Sequence, residues 1–392
     1  MKYKKKIYLL ITMIMIFNTL MYKDVNAFIM EEDNTDEEML IIESSDVDDV
    51  DLSNVNIANL RVNARNAIAL DSKTKQILFD QNANEIVPMA STTKILTALI
   101  AINYSDLDRE VEISKNASSI RGSTVGYRTG EKIKMKELLF GLMFKSGNDA
   151  AIAIAEDIGG SIEGFANIMN HYAKSLGLIN SHFESPHGLD SSKHYTCAYD
   201  LALLTATAME NEQFREICGE KTMSKEKYNF SRDYSNINKI LYKIPNANGV
   251  KTGYTGQAGK CLVSSVNHEG RNIIIVVLNC SDRWNVTEKI YKSVEELYDF
   301  KTTSSSKLLE NSDYIKLGSI IEECEFEYGF KGEGSLEVEV FNPIFDKEKG
   351  DILGKIFFNN EDGEELIKKS LISNRSLSLK EYEKIFNIES AS

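Results

Sequence analysis

The chain has 392 residues, of which 27% are charged and 42% hydrophobic, and its formal net charge is −14. That length is enough for a sizeable core and for more than one domain. The acidic balance repels phosphates and disfavours nucleic acid and anionic membrane surfaces as partners, while five histidines without ligand spacing and five scattered cysteines without a C-x-x-C pair point to no metal site.

Lys2, Lys4, Lys5 and Lys6 precede an apolar run from Ile7 to Met21, then Val25-Asn26-Ala27. Residues 1–27 therefore read as a cleaved secretory signal, the run being shorter than a typical bilayer span. Cleavage would remove five lysines and one aspartate and move the net charge to −18. Residues 28–58 are rich in Asp, Glu, Ser and Asn, too polar to offset ordering entropy, and read as a flexible linker. Export permits disulfides. The cysteines nonetheless read as buried small hydrophobes, with a Cys261–Cys280 cross-strand bridge as the open alternative, because the two flank a probable turn at His268-Glu269-Gly270.

Ala67–Leu70 and Gln76–Phe79 around the polar turn Asp71–Thr74 have the signature of a hairpin. Pro88 then opens a helix carrying Ser91, and helical periodicity recurs at Met135–Phe144, Ala150–Asp157, Ile162–Leu176, Tyr199–Met209 and Val286–Tyr298. Strands are expected at Gly249–Tyr254, Lys260–Val266 and Ile273–Leu278. Strands at both ends with helices between predict an α+β domain over 59–302, its antiparallel sheet flanked by helices. Lys301–Ser306 reads as a polar linker, and residues 310–376, with strict alternation at Ser335–Val340, as a small C-terminal β-rich domain. Residues 377–392 are left as a tail, short and weakly basic for a membrane anchor.

Three short motifs carry the chemistry. Ser91 and Lys94 stand three residues apart, one helical turn, so hydroxyl and amine can meet, and a serine hydroxyl needs such a base to become a nucleophile. Lys94 serves as a base only when neutral, which calls for burial and a like charge, and Lys251 is the obvious second ammonium. Ser146, in Ser146-Gly147-Asn148, can relay a proton to a leaving amine, while the Asn148 amide orients Lys94 and holds a substrate backbone. The N–H groups of Ser91 and Tyr254 can form an oxyanion hole. Lys251 and Thr252 offer charge and hydroxyl to a substrate carboxylate, and Gly249 and Gly253 let an extended peptide approach the strand.

The order S-x-x-K, S-x-N, K-T-G is similar to that of penicillin-binding proteins and class A β-lactamases. With Arg121-Gly122-Ser123, Ser146–Ala151, Pro186–Asp190, His194-Tyr195-Thr196, Asp200 and Lys251–Thr255 in the same order, residues 60–376 resemble the serine-type D-alanyl-D-alanine carboxypeptidases, the low-molecular-mass penicillin-binding proteins. The resemblance implies removal of the terminal D-alanine from peptidoglycan stem pentapeptides through an acyl-enzyme on Ser91. It implies acylation of that serine by β-lactams, no metal or organic cofactor, and an extracellular or wall-associated setting with membrane attachment left open. It also implies that an arginine downstream of the K-T-G strand, best matched by Arg283, helps bind the terminal carboxylate, with Gly253 and Tyr254 beside it as substrate-binding residues. Two alternatives stand beside it: a β-lactamase, disfavoured by S-G-N in place of S-D-N and by the lack of an E-x-x-L-N pattern, and a non-catalytic peptidoglycan-binding protein of the same fold. The His187 ring reads as structural.

Overall fold

The computed structural model describes residues 60–310, 315–329, 335–342, 344–359, 363 and 365–386, all within one compact unit, Leu52–Ser392. The expected signal, the whole acidic stretch 28–58 and the last six residues lie outside the described residues.

The central sheet has five antiparallel strands in the order β2-β1-β9-β8-β7: β1 (Asn66–Asp71), β2 (Ile77–Gln81), β7 (Ala247–Thr255), β8 (Gly259–His268) and β9 (Arg271–Leu278). The intervening strands form two small ladders, β3 (Glu110–Glu112) with β4 (Lys132–Lys134) and β5 (Thr222–Met223) with β6 (Tyr234–Ser235). The continuous apolar run in β9 follows from burial on both faces. Ile274, Val276 and Leu278 point into one core while Ile273, Ile275 and Val277 point into the other, as the two-residue period of a strand requires.

The larger core holds α1 (Lys94–Tyr104), α2 (Met135–Phe144), α3 (Asn148–Gly159), α4 (Ile162–Ser175), α5 (Ala198–Ala208) and α6 (Glu212–Gly219). Every residue of α1 from Lys94 to Ile102 is buried, so α1 is a core helix and a lysine at its head is an anomaly that needs partners. The smaller core is covered by α7 (Arg283–Leu297), which presents Val286, Ile290 and Val294 at four-residue spacing.

Several expectations need correcting. Lys301–Ser306 is no linker: β10 (Phe300–Ser304) pairs with β11 (Glu325–Gly329), a strand held by backbone pairing whose polar side chains hide the pattern. Beyond it, β12 (Ser335–Val340), β13 (Ile352–Asn359) and β14 (Glu365–Ile372) form a three-stranded sheet. The expected tail contains α8 (Leu379–Phe386), whose Tyr382 is buried and donates to the carbonyls of Phe341 and Leu353 at 2.6 and 2.9 Å. All five cysteines are free; Cys261 faces the larger core and Cys280 the smaller, and the cross-strand bridge held open as an alternative is not formed.

Arg271 on β9, largely buried, reaches Asp71 at 2.7 Å and Glu327 of β11 at 3.5 Å. The fully buried Asp71 also accepts from Lys73 N and Thr74 Oγ1, which sets the β1–β2 turn. Asp71→Ala would take the nearer of two carboxylate partners from a largely buried guanidinium and is expected to lower stability by about 3 kcal/mol, read as a lower denaturant midpoint. An unchanged midpoint would remove this pair from the fold's main supports.

Candidate active site

Ser91 is not on a regular α-helix. It sits on a 3₁₀ turn, Ala90–Thr93, and α1 begins at Lys94. The change favours the expected contact, since residues three apart eclipse one another on a 3₁₀ turn. Lys94 Nζ lies 2.7 Å from Ser91 Oγ, 2.8 Å from Asn148 Oδ1, 3.1 Å from the His187 carbonyl and 3.4 Å from Ser146 Oγ. The nitrogen is thus solvated by protein oxygens in place of water, which a buried polar group requires.

The second motif is held from below. Ser146 adopts a left-handed backbone, φ 57°, rare for a side chain larger than glycine and typical of functional sites. Gly147 N donates to the Gly141 carbonyl at 3.1 Å and Asn148 N to the Ser123 carbonyl at 2.7 Å. Asn148 Nδ2 donates to the Arg121 carbonyl at 2.8 Å while Oδ1 faces Lys94, so the two ends of the amide are assigned by partners of opposite kind. Asp149, buried, accepts from the N–H groups of Val125, Gly126 and Tyr127 and clamps that loop against α3.

The third motif lies on β7, the outermost strand of the sheet on this side. A Cβ at Gly253 would stand 3.1 Å from Ser91 N and 3.2 Å from Thr92 N, so glycine is what lets the strand come against the serine turn. Lys251 is buried and donates to the Thr252 carbonyl at 2.8 Å. Burial, with the Arg283 guanidinium as a second cause, pushes its amine down to about 7. The neighbouring cation acting on Lys251 is Arg283. Arg283, the first residue of α7, donates to the Gly253 carbonyl at 3.1 Å and the Cys261 carbonyl at 3.4 Å. Thr252 is nearly buried, and the Tyr254 side chain is exposed at the strand edge.

The loop 184–194 closes the remaining side. The sequence drew attention to the His187 ring, yet it is the His187 backbone carbonyl that meets Lys94. The ring itself is pushed down to about 3 by burial and by the Lys94 charge, so it is neutral at ordinary pH. Pro186 offers its carbonyl to Thr97 of α1 at 2.7 Å, and Asp190 accepts from Thr255 Oγ1 and Gln257 N at 2.6 and 3.2 Å, joining the loop to the β7–β8 turn. Backbone groups of this kind leave no motif in a sequence. Asp149 and Asp190 do lie in segments that carried the family resemblance, which was the available signal.

The antiparallel sheet with its core helix, and the matches below, place the chain among the serine-type peptidases. A family profile described as D-alanyl-D-alanine carboxypeptidase (Peptidase_S11) matches residues 53–282, more than half of the chain, and the chain belongs to that family. Among curated relatives, the D-alanyl-D-alanine carboxypeptidase DacF of Bacillus subtilis (strain 168) is 36% identical over 224 residues, covering 56% of this chain and 58% of that protein. DacC of Escherichia coli (strain K12), of the same description, is 34% identical over 246 residues, 58% of this chain and 60% of that one. The chain thus matches less than two thirds of the length of these relatives. Among solved structures, DacD of Francisella tularensis, a D-alanyl-D-alanine carboxypeptidase, superposes with a TM-score of 0.63 at 25% identity, covering 83% of this chain and 96% of that one. A mutant of the Streptomyces K15 DD-transpeptidase does so with a TM-score of 0.56 at 30% identity, covering 60% and 98%.

A lysine whose native pKa lies below its ordinary value binds fewer protons in the folded than in the unfolded state across that interval, so stability rises with pH there. For Lys251 the interval runs from about 7 to 10.5. Lys251→Met is expected to be more stable than the parent below pH 7, with the advantage fading toward pH 10; thermal melts of both proteins at pH 6, 8 and 10 test this. An advantage that does not vary with pH would contradict it.

Proposed function

We propose that the protein is an exported serine D,D-carboxypeptidase that removes the terminal D-alanine from peptidoglycan stem pentapeptides, and that β-lactams acylate the same serine. The carrying observation is the Ser91 hydroxyl 2.7 Å from a buried Lys94 amine, beside a glycine-bearing edge strand. Family membership and relatives named as carboxypeptidases support it.

In this reading the substrate lies along β7 as an added strand, a mode that an open sheet edge permits. Lys94, as free amine, takes the Ser91 proton while Ser91 Oγ attacks the penultimate D-alanine carbonyl. The Ser91 and Tyr254 N–H groups receive the developing oxyanion. The proton then passes by way of Ser146 to the leaving D-alanine nitrogen, and Asn148 keeps the Lys94 nitrogen in place. Lys251, Thr252 and Arg283 hold the terminal carboxylate, whose arrival favours the ammonium form of Lys251. Water, activated by the same lysine, resolves the acyl-enzyme. Residues 59–302 would form the catalytic domain and 310–376 a trailing β domain; among the described residues no helix is long and apolar enough to cross a membrane.

The test is mass spectrometry of the full chain with benzylpenicillin and, separately, with a peptide ending in D-Ala-D-Ala. A stable adduct on Ser91 and loss of one alanine are expected. Rapid penicillin hydrolysis with the peptide intact would instead indicate a β-lactamase, and neither adduct nor cleavage a binding protein. Adding an acceptor amine asks whether the acyl group also goes to amines, as the name of the Streptomyces K15 transpeptidase invites.

Ser91→Ala is expected to lose both adduct and alanine release, and either one persisting would displace Ser91 as nucleophile. Lys94→Ala should fold yet acylate at least about 100-fold more slowly; a near-parental rate of adduct formation would take Lys94 out of the mechanism.

A further inference from the structure

One buried chain of hydrogen bonds ends on the serine turn without touching the nucleophile. His194, 3% exposed, accepts from Glu184 N through Nδ1 at 3.0 Å, and its Nε2 lies 2.8 Å from Thr93 Oγ1. Thr93, fully buried, donates its hydroxyl to the Ala90 carbonyl at 2.8 Å.

The direction of this chain is fixed. A backbone N–H can only donate, so the single proton of a neutral imidazole stands on Nε2 and is given to Thr93, whose own proton is free for Ala90. Burial is the main cause holding the imidazole down at about 4, and His182 acts in the same sense. The Glu184 and Asp190 carboxylates act in the opposite one. The Phe183 ring stands nearly perpendicular to the imidazole, with centroids 5.7 Å apart.

The Ala90 carbonyl is half of a peptide group whose other half is the Ser91 N–H. Resonance couples the two ends, so a strong hydrogen bond at the oxygen makes the N–H a better donor, and chained bonds reinforce one another. The same bond also holds Ala90 at φ 50°, a backbone that a residue with a side chain adopts only when its surroundings impose it. Gly188, itself at φ 86°, lies directly over this contact, where a Cβ would overlap both the Ala90 oxygen and the Thr93 hydroxyl.

We propose that His194 and Thr93 are positioning residues that aim and polarise the Ser91 N–H as an oxyanion-hole donor, an inference that depends on the acyl-enzyme reading given above. Neither touches the substrate; both act through the Ala90–Ser91 peptide group.

The test compares the parent with Thr93→Val, which keeps the shape and loses the hydroxyl, and with Thr93→Ser, which restores it. The infrared ester carbonyl stretch of the penicilloyl adduct reports hydrogen bonding at the acyl oxygen directly, a signal that a merely structural role would not shift. Thr93→Val is expected to move that band to higher wavenumber and to slow acylation about 10-fold, less than outright removal of an oxyanion donor, with KM for the peptide little changed. Thr93→Ser should return both toward the parent. If Thr93→Val does not fold, Thr93→Ala removes the same hydroxyl without setting a methyl group against the Ala90 carbonyl and is read in the same way. An unshifted band in a folded hydroxyl-less variant, with the parent acylated normally, overturns the relay alone. A parent that forms no adduct overturns the acyl-enzyme reading and the relay together.

Discussion

Lys94 Nζ, buried beneath the serine turn, must be solvated by the protein itself. Oxygens from three separate stretches do so: Ser91 on the turn, Ser146 and Asn148 at the head of α3, and the His187 carbonyl in the loop 184–194. A buried amine without such partners would cost several kcal/mol, so the three stretches are held in register by the same requirement that places the base beside the hydroxyl. The supports behind them follow from this: Asp149 clamping Val125–Tyr127, Arg121 receiving the Asn148 amide, and Asp190 tying the loop to the β7–β8 turn.

The site is assembled from features that weaken a fold. Lys251 and Arg283 bring like charges together in a buried setting, and Ala90 and Ser146 carry left-handed backbones. Such arrangements persist where the surrounding structure imposes them. Here that structure is a sheet packed on both faces, with α1 embedded in the larger core and α7 closing the smaller. The Arg271 cluster with Asp71 and Glu327 adds a polar tie at the far end of β9.

Much of the chain could be read in advance because its patterns are local. The hairpin around Asp71–Thr74, the helix Met135–Phe144 and the run Ile273–Leu278 follow from turn residues and apolar spacing, and the structure has them within a residue or two. Strands β10, β11 and β14 were not legible: their polar residues leave the period weak, and for β10 and β11 the pairing partner lies some way along the chain. The 3₁₀ turn at Ser91 was missed for a related reason, since an i to i+3 spacing suits both helix types and only the packing of Gly253 and Gly188 against the turn selects the tighter one.

The sequence by itself determined the chemical inventory: a serine and a lysine one turn apart, an S-x-N and a K-T-G in fixed order, and an acidic composition poorly suited to nucleic acid. It determined the sheet as well, because the apolar content of β8 and β9 can be buried only between two layers. What only the tertiary structure decided is which groups meet. Arg283 comes up beside Lys251, Cys261 and Cys280 face different cores, and the partner from the loop 184–194 is a backbone carbonyl. The physical reason is that backbone groups and charges act through space over a few ångströms, and one-dimensional spacing carries that distance only within a turn or a strand pair.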